Sequence, residues 1–426
     1  MIEEGKYIRG YLVKWLFFAT LVGLGGGISA LALNYAIEWV TRFGINIPIV
    51  IAPAIGGLIV VIMYKLDPEV TGSGTRNYIN AINLHQGQIS RKTWLTKLIA
   101  SSATIGLRGS GGVEGPMVLM GGAMGNVISK LPLINKIIDK EDHRILAVCG
   151  AAGAVGAAFR SPLGGGVFVA EILYKSSMHY LDMFPAILSS TMGFVIYSTF
   201  GTAEPLFLIT PYLPEPTNVG YFIIAALAAG FVSLLFMEAI HRTEKFSAHV
   251  DKKKIGQFLP LLGGLLTGTV LLFLPQVGGA GINFIQELLE QSFGTLFLFL
   301  ILIAKILATA FTVGLKGSAG LVVPALFIGA TTGAIVGNLI AADSGLASSL
   351  VIVGMSASLA SIANVPIAAT ILLIEMVGFQ VGVAAVVGSV IGYVVGRRRM
   401  IYLETSQAGS DFRSGKNFRK LDRYFE

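Results

Sequence analysis

The sequence predicts an all-α polytopic membrane protein made of two duplicated halves with many short, broken helices. Three observations carry that prediction. Hydrophobic residues are 54% of the 426-residue chain and charged residues 13%, about half the roughly 25% charged share of a soluble domain. The mean hydropathy is +0.74. Apolar segments run almost end to end, yet several fall short of the roughly 20 residues a crossing helix needs. Finally, the chain repeats: residues 104–112 read TIGLRGSGG and residues 312–320 read TVGLKGSAG, an offset of 208. A soluble multidomain enzyme, which length alone would permit, and a disordered chain are both excluded.

In chain order, the apolar segments are Val13–Val40, Ile47–Tyr64, Leu95–Leu107, Met117–Ile128, Ile145–Ala158, Leu163–Leu173 and Met183–Phe200. They continue with Tyr221–Ile240, Phe258–Phe273, Leu296–Phe311, Ala325–Ile340, Leu350–Ile362, Ile367–Met376 and Val381–Val395. Gly and Pro clusters bound the short ones. Non-helical backbone at membrane depth is tolerated only where protein buries it or it lines a cavity, so these breaks imply a pathway. Glycine, 53 residues, serves both breaks and close helix packing.

The repeat extends well past its first block. Gly112, Pro116, Gly121 and Gly125 match Gly320, Pro324, Gly329 and Gly333, and Lys97 matches Lys305. Gly150, Pro162 and Glu171 match Gly354, Pro366 and Glu375 at offset 204. Pro68, Val70, Gly72 and Gly74 match Pro275, Val277, Gly279 and Gly281 at offset 207. The whole chain, 1–426, is therefore one transmembrane domain. Repeat one covers about 10–200, repeat two about 215–405, and a basic tail 397–426 follows. Duplicated halves with broken segments at matching places point to a transporter whose site lies near the midplane. The repeats alone leave open whether the halves are parallel or inverted.

The net charge of +7 belongs to topology and lipid headgroups, since the basic residues sit between or after apolar segments; nucleic acid is not an expected partner. Arg397, Arg398 and Arg399 open the tail, and Lys252, Lys253 and Lys254 mark the central loop. Both are expected on the cytoplasmic side. The lone Cys149 excludes an intrachain disulfide and a cysteine metal site. Met1 to Lys14 is mixed in charge and lacks the pattern of a cleavable signal.

Candidate site residues lie at helix starts. Gly72-Ser73-Gly74-Thr75 precedes a helical pattern of Tyr78, Ile79, Ala81 and Ile82. Gly112-Val113-Glu114-Gly115-Pro116 precedes Met117–Ile128, and Gly320-Leu321-Val322-Val323-Pro324 precedes Ala325–Ile340. Such starts leave free N–H groups at the positive end of a helix. Three of them converging at mid-membrane would bind an anion without a full positive charge, strongly enough to dehydrate it and weakly enough to release it. The same glycines also serve close helix packing, which is the plainer reading of each alone.

Glu114 stands out. An ionised carboxylate at the bilayer centre costs about 2.5–3.5 kcal/mol or more, and its repeat partner is Val322, so the scaffold does not demand it. At a helix start it would occupy an anion site; once protonated it could leave. It is the candidate gate and proton carrier, the alternative being a structural cap. Lys97, Lys305, Arg108 and Lys316 either raise the potential along the pathway or snorkel and pair with carboxylates.

These motifs resemble those of the CLC family of chloride channels and chloride/proton antiporters over nearly the whole chain. Gly72-Ser73-Gly74 is similar to the family's first anion motif, whose serine hydroxyl contacts the central chloride. Gly112 to Pro116 is similar to the second, with Glu114 on the gating glutamate and the backbone at Val113 and Gly115 beside it. Gly320 to Pro324 is similar to the third, whose amides, here at Leu321, Val322 and Val323, bind the anion. CGAAGAVGAAFRSPLGGGVFVAE at 149–171 matches a segment contributing to the dimer-bearing core. Ile401-Tyr402-Leu403-Glu404 matches the stretch whose tyrosine, here Tyr402, caps the inner end of the site. The resemblance implies inverted repeats, a pore within each subunit, a homodimer, chloride and protons as partners, no cofactor or metal, and no enzymatic activity. With no regulatory domain after the last helix, it implies a prokaryotic protein of the plasma membrane.

The departures bear on coupling. Thr75-Arg76 replaces the usual Ile-Pro, Val113 a basic residue and Val322 an aromatic one. Ile172 stands where many antiporters carry a second, internal proton glutamate; Glu171 matches the structural glutamate and recurs as Glu375. The expectation is a chloride transporter gated by Glu114 and either channel-like or weakly proton-coupled. Alternatives are a fully coupled antiporter with another internal proton route, a fluoride-selective antiporter, and an organic-anion transporter of another fold. The last would want recognition residues such as paired Arg or Asn. An intramembrane enzyme is disfavoured because His85, His143, His179, His241 and His249 form no Ser–His or HExxH arrangement.

Overall fold

The structure, a computed structural model, describes residues 2–173, 180–209, 216–251, 254–399 and 401. Tyr402, Lys252, Lys253 and most of the basic tail lie outside the described residues.

Repeat one contributes α1 (Ile2–Gly44), α2 (Ala52–Leu66), α3 (Thr75–His85), α4 (Arg91–Gly106) and α5 (Glu114–Ser129). It continues with α6 (Pro132–Asn135), α7 (Lys140–Ala158), α8 (Pro162–Glu171) and α9 (Tyr180–Phe200). Repeat two contributes α10 (Val219–Asp251), α11 (Leu259–Leu271), α12 (Ile282–Glu290), α13 (Thr295–Thr309) and α14 (Val322–Leu339). It closes with α15 (Ser344–Ala363), α16 (Pro366–Val377) and α17 (Gly382–Gly396). Apart from the single-turn α6, every helix of one half has a partner in the other. Among the described residues, seven helices are long and apolar enough to cross a membrane.

Local chemistry sets the helix starts in matching ways. Proline opens α8 and α16 at Pro162 and Pro366, and α2 and α11 through Pro53 and Pro260; the missing N–H costs nothing there. Gly74 and Gly281 precede α3 and α12 with φ of 80° and 82°, a left-handed turn glycine takes without a Cβ penalty.

Several boundaries differ from the hydropathy reading. The segment at Ile145–Ala158 begins earlier, at Lys140, because Asp139 and Asp142 form a capping box, and the charged first turn carries no hydropathy signal. The segment at Tyr221–Ile240 continues to Asp251 through polar turns. Conversely, Ile47–Tyr64 becomes helical only at Ala52. The helix α12 has no apolar run; it buries Phe284, Ile285, Leu288 and Leu289 on one face. The apolar stretch after Leu296 ends in a π turn, Ala310–Gly314, where α4 has none.

Packing repeats the same plan twice. In repeat one, α7 packs against α1, α5 and α9; in repeat two, α15 packs against α10, α14 and α17. The α15 window is 94% buried, so this helix is core and not lipid-facing wall. Outward-facing Phe17, Trp39, Leu235, Phe273, Leu296 and Phe379 are exposed, as a surface solvated by lipid requires.

The halves interlock through equivalent contacts made in both directions, as inverted-topology repeats about a pseudo-two-fold axis do. Helices α2 and α11 cross so closely that a Cβ on Gly57 would overlap the Pro260 carbonyl and one on Gly264 the Pro53 carbonyl. Glu171, ending α8, accepts from the N–H groups of Ile367 (3.3 Å) and Ala368 (2.7 Å) in the first turn of α16. Glu375 in α16 accepts from Leu163 (3.1 Å) and Gly164 (2.8 Å) in the first turn of α8, and from the Ser161 hydroxyl. Each carboxylate thus satisfies the other repeat's helix start. That geometry is a structural role for Glu171. Ile172, the next residue, is buried and apolar.

Candidate anion site

Three glycine-rich helix starts come together where the two repeats meet. Gly112 and Gly320, equivalent residues, pair in antiparallel fashion: the Gly112 N–H donates to the Gly320 carbonyl at 2.8 Å, and the Gly320 N–H to the Gly112 carbonyl at 2.6 Å. The surrounding hydroxyls obey the same symmetry. Ser110 N–H donates to Thr312 Oγ1 at 3.1 Å, and Ser318 N–H to Thr104 Oγ1 at 3.3 Å. Ser101 and Ser318 share a hydroxyl bond of 2.9 Å, as do Thr309 and Ser110. This pairing brings the start of α5 against the start of α14. The third start, before α3, lies against α5: a Cβ on Gly74 would stand 2.9 Å from the Gly115 carbonyl oxygen, and one on Gly115 would overlap the Ser73 carbonyl. Glycine at 74 and 115 is therefore a condition for the loops to meet.

Glu114 is the residue around which the cluster closes. It opens α5, is 1% exposed, and reaches across to the other repeat. Its Oε1 accepts from the Val322 N–H at 2.5 Å, at the first residue of α14. Its other oxygen, Oε2, is buried with no partner among the described residues. Glycines make the room: a Cβ on Gly320 or on Gly112 would overlap the Glu114 carboxylate. The sequence reading placed Glu114 at the start of its own helix. The structure shows its carboxylate on the N-terminus of the repeat-equivalent helix, where the field is positive and free amides point outward.

The remaining predicted residues fall around this point. Gly72 and Ser73 are half-buried and Gly74 buried; Gly72 takes φ 68°. Val113 and Leu321 directly precede the first residues of α5 and α14, and Leu321, Val322 and Val323 are buried. Tyr402 lies outside the described residues.

Of the basic residues singled out above, Lys316 fits the pairing reading, while Lys97 and Lys305 bond to backbone carbonyls instead. Lys97 and Lys305 are both fully buried, yet among the described residues neither forms an ion pair with a carboxylate. Lys97 Nζ donates to the carbonyls of Val70 (2.9 Å) and Gly72 (3.0 Å), and Lys305 Nζ to those of Val277 (3.1 Å) and Gly279 (3.2 Å). Each lysine neutralises the carbonyls of one turn and leaves its following helix start uncompromised. Lys316 is paired, with Asp251 at 2.5 Å. Arg108 and Lys316, repeat equivalents, share a left-handed backbone with φ of 66° and 70°.

Sequence reasoning missed three features. The Gly112–Gly320 pairing was signalled only by the identical Gly-Ser-X-Gly frames. The buried ion pair of Arg144 with Asp182, at 2.8 and 2.5 Å, had no sequence signal beyond two charges in apolar surroundings. Arg76 was seen as a departure from a motif, but its partners, Glu244 at 3.1 Å and the Ile401 carbonyl at 3.4 Å, are 168 and 325 residues away.

Comparison with known proteins identifies the family and the fold. The family described as voltage gated chloride channel matches residues 56–397. An uncharacterized protein of Methanocaldococcus jannaschii is 33% identical, the match covering 93% of this chain and 96% of that protein. The H(+)/Cl(-) exchange transporter ClcA of Vibrio campbellii is 27% identical over 85% of this chain and 81% of its own length. Among solved structures, a slow cyanobacterial Cl−/H+ antiporter superposes with a TM-score of 0.79 at 21% identity, covering 93% of this chain and 98% of that one.

Proposed function

Because the chain belongs to the voltage-gated chloride channel (CLC) family, whose members carry anions across membranes, we propose that it transports chloride through a path within each subunit, gated by Glu114. The observation that carries the proposal is the Glu114 carboxylate seated on the Val322 amide. A carboxylate oxygen and a dehydrated chloride want the same thing, converging N–H dipoles without a full cation. The seat filled by Oε1 is therefore an anion site, and Glu114 is a tethered anion competing for it.

The gating chemistry follows. Ionised, Glu114 holds the seat. A chloride arriving from the tail side, past the Ser73 loop, must displace it. Protonation removes the charge that binds Glu114 to the amides, so the neutral side chain leaves and chloride takes its place. Ser73 with Gly72 and Gly74 forms the next stage of the path, and the tail side, marked by the arginines at 397–399, is cytoplasmic. The protein is a multi-pass homodimer of the plasma membrane.

Proton coupling needs an exit for the proton that Glu114 accepts. Ile172 offers none, being apolar, and Glu171 is occupied in capping α16. We therefore read the protein as channel-like or weakly coupled. Chloride efflux and proton movement recorded together from liposomes test this: efflux with little uphill proton movement supports the reading, and fixed-ratio uphill movement overturns it in favour of a fully coupled exchanger.

A further inference from the structure

A cavity of about 610 Å³ opens on the tail side of the molecule, between the first turn of α3, the last turns of α10 and the end of α17. Its lining carries Arg76, Lys245, Arg398 and Arg399 against Glu238 and Glu244, with His241 alongside. Basic charge is in excess. The acidic charges are engaged: Glu238 with Arg242 (2.7 Å) and Arg399 (3.6 Å), and Glu244 with Arg76 (3.1 Å). Among the described residues, Lys245 and Arg398 have no ion-pair partner.

Arg76 has an unusual position. It is the second residue of α3, three residues beyond Ser73. A cation in the first turn of a helix opposes the dipole. The residue therefore breaks a local rule beside a functional loop, where such breaks are expected. Its side chain is 39% exposed and lines the cavity. Its bonds to Glu244 and to the Ile401 carbonyl hold it at the cavity wall and fix where its charge lies.

We propose that Arg76 controls anion access at the inner entrance: it draws small inorganic anions from the tail-side solution toward the Ser73 loop, and Glu244 sets how strongly. The inference rests on the transport reading above and adds the residue pair that tunes its inner access. The two charges are close, so their fields nearly cancel at a distance. An anion passing nearer to Arg76 than to Glu244 feels the difference, and the neighbouring basic residues add to it. Low-dielectric walls focus such fields on the cavity.

The test is anion flux from reconstituted liposomes with the full chain, comparing wild type, Arg76→Ala, Arg76→Lys, Glu244→Gln and the double Arg76→Ala/Glu244→Gln. Flux is measured at low chloride, with an impermeant salt setting the ionic strength. One unit charge near the path is expected to change the rate by about two- to threefold in water-like surroundings. Arg76→Ala lowers the rate, Glu244→Gln raises it, Arg76→Lys stays near wild type, and the double variant returns near wild type. The differences shrink at about 1 M salt, where screening is nearly complete. A Glu244→Gln rate equal to or below wild type overturns the proposal even if Arg76→Ala fails to fold. So does a double variant as slow as Arg76→Ala, because the role would then be to hold Ile401. Absence of anion flux in wild type would strike the transport reading itself, a result none of the charge comparisons can mimic.

Discussion

Gly112→Ala is the most selective perturbation of the gate. A Cβ built on Gly112 meets only Glu114 among its nearest neighbours: it overlaps Oε2 and stands 2.9 Å from Cδ and 3.1 Å from Oε1. The backbone at 112 has no left-handed φ, so alanine adds no strain, and the pairing with Gly320 uses backbone atoms that remain. The carboxylate must therefore leave its seat and give up the Val322 bond. Hydrogen bonds to charged groups contribute about 1.5–3 kcal/mol, which corresponds to a fall of roughly 10- to 150-fold in seat occupancy relative to the displaced state (about 1.4 kcal/mol per tenfold). Chloride efflux from liposomes should be faster than wild type and approach that of Glu114→Ala. Adding Gly112→Ala to Glu114→Ala should change nothing further, the non-additivity expected of two residues sharing one contact. If Gly112→Ala runs at the wild-type rate, or slows Glu114→Ala by a separate factor, the carboxylate is not the barrier and the argument fails.

Other consequences are open to measurement. Glu114→Gln keeps the shape but loses the charge that titrates, so its efflux should be nearly independent of pH, whereas wild-type efflux rises as pH falls; parallel pH profiles would contradict the gate. Glu375→Gln leaves the start of α8 with a weaker acceptor for the Leu163 and Gly164 amides, and should cost about 1–3 kcal/mol, read as a lower midpoint of thermal inactivation with the pH profile of transport unchanged. Arg144→Ala breaks the bidentate pair with Asp182, which is fully buried; breaking such a pair costs about 3–5 kcal/mol, and removing the opposing charge as well with Asp182→Asn should recover part of the loss in a thermal-stability assay.

Much of the architecture was legible because the duplication is written in residues that cannot vary freely. Gly112 and Gly320 must be glycine for Glu114 to fit between the two helix starts. Pro162 and Pro366 open equivalent helices, and Glu171 and Glu375 cap them crosswise. Constraints of this kind leave the same residue at the same offset in both halves, and the offsets could be read directly. What could not be read was which residues touch. Glu114 reaches Val322, its own repeat equivalent 208 residues away, and a shared offset does not announce a contact. The amphipathic helix α12 lacks the apolar run by which the others were found, and the capped start of α7 is hidden by its charges. Arg76 and Glu244 show the same limit: a charge in the sequence has no direction until the fold supplies its partner.

The proposed gate requires that the Glu114 carboxylate occupy an anion seat at the start of α14. Chloride binding to the purified protein, measured by titration calorimetry for wild type and Glu114→Ala, tests it most directly. Tighter chloride binding, or one additional chloride, is expected in Glu114→Ala, because the tethered competitor is gone. Identical stoichiometry and affinity in the two proteins would contradict it.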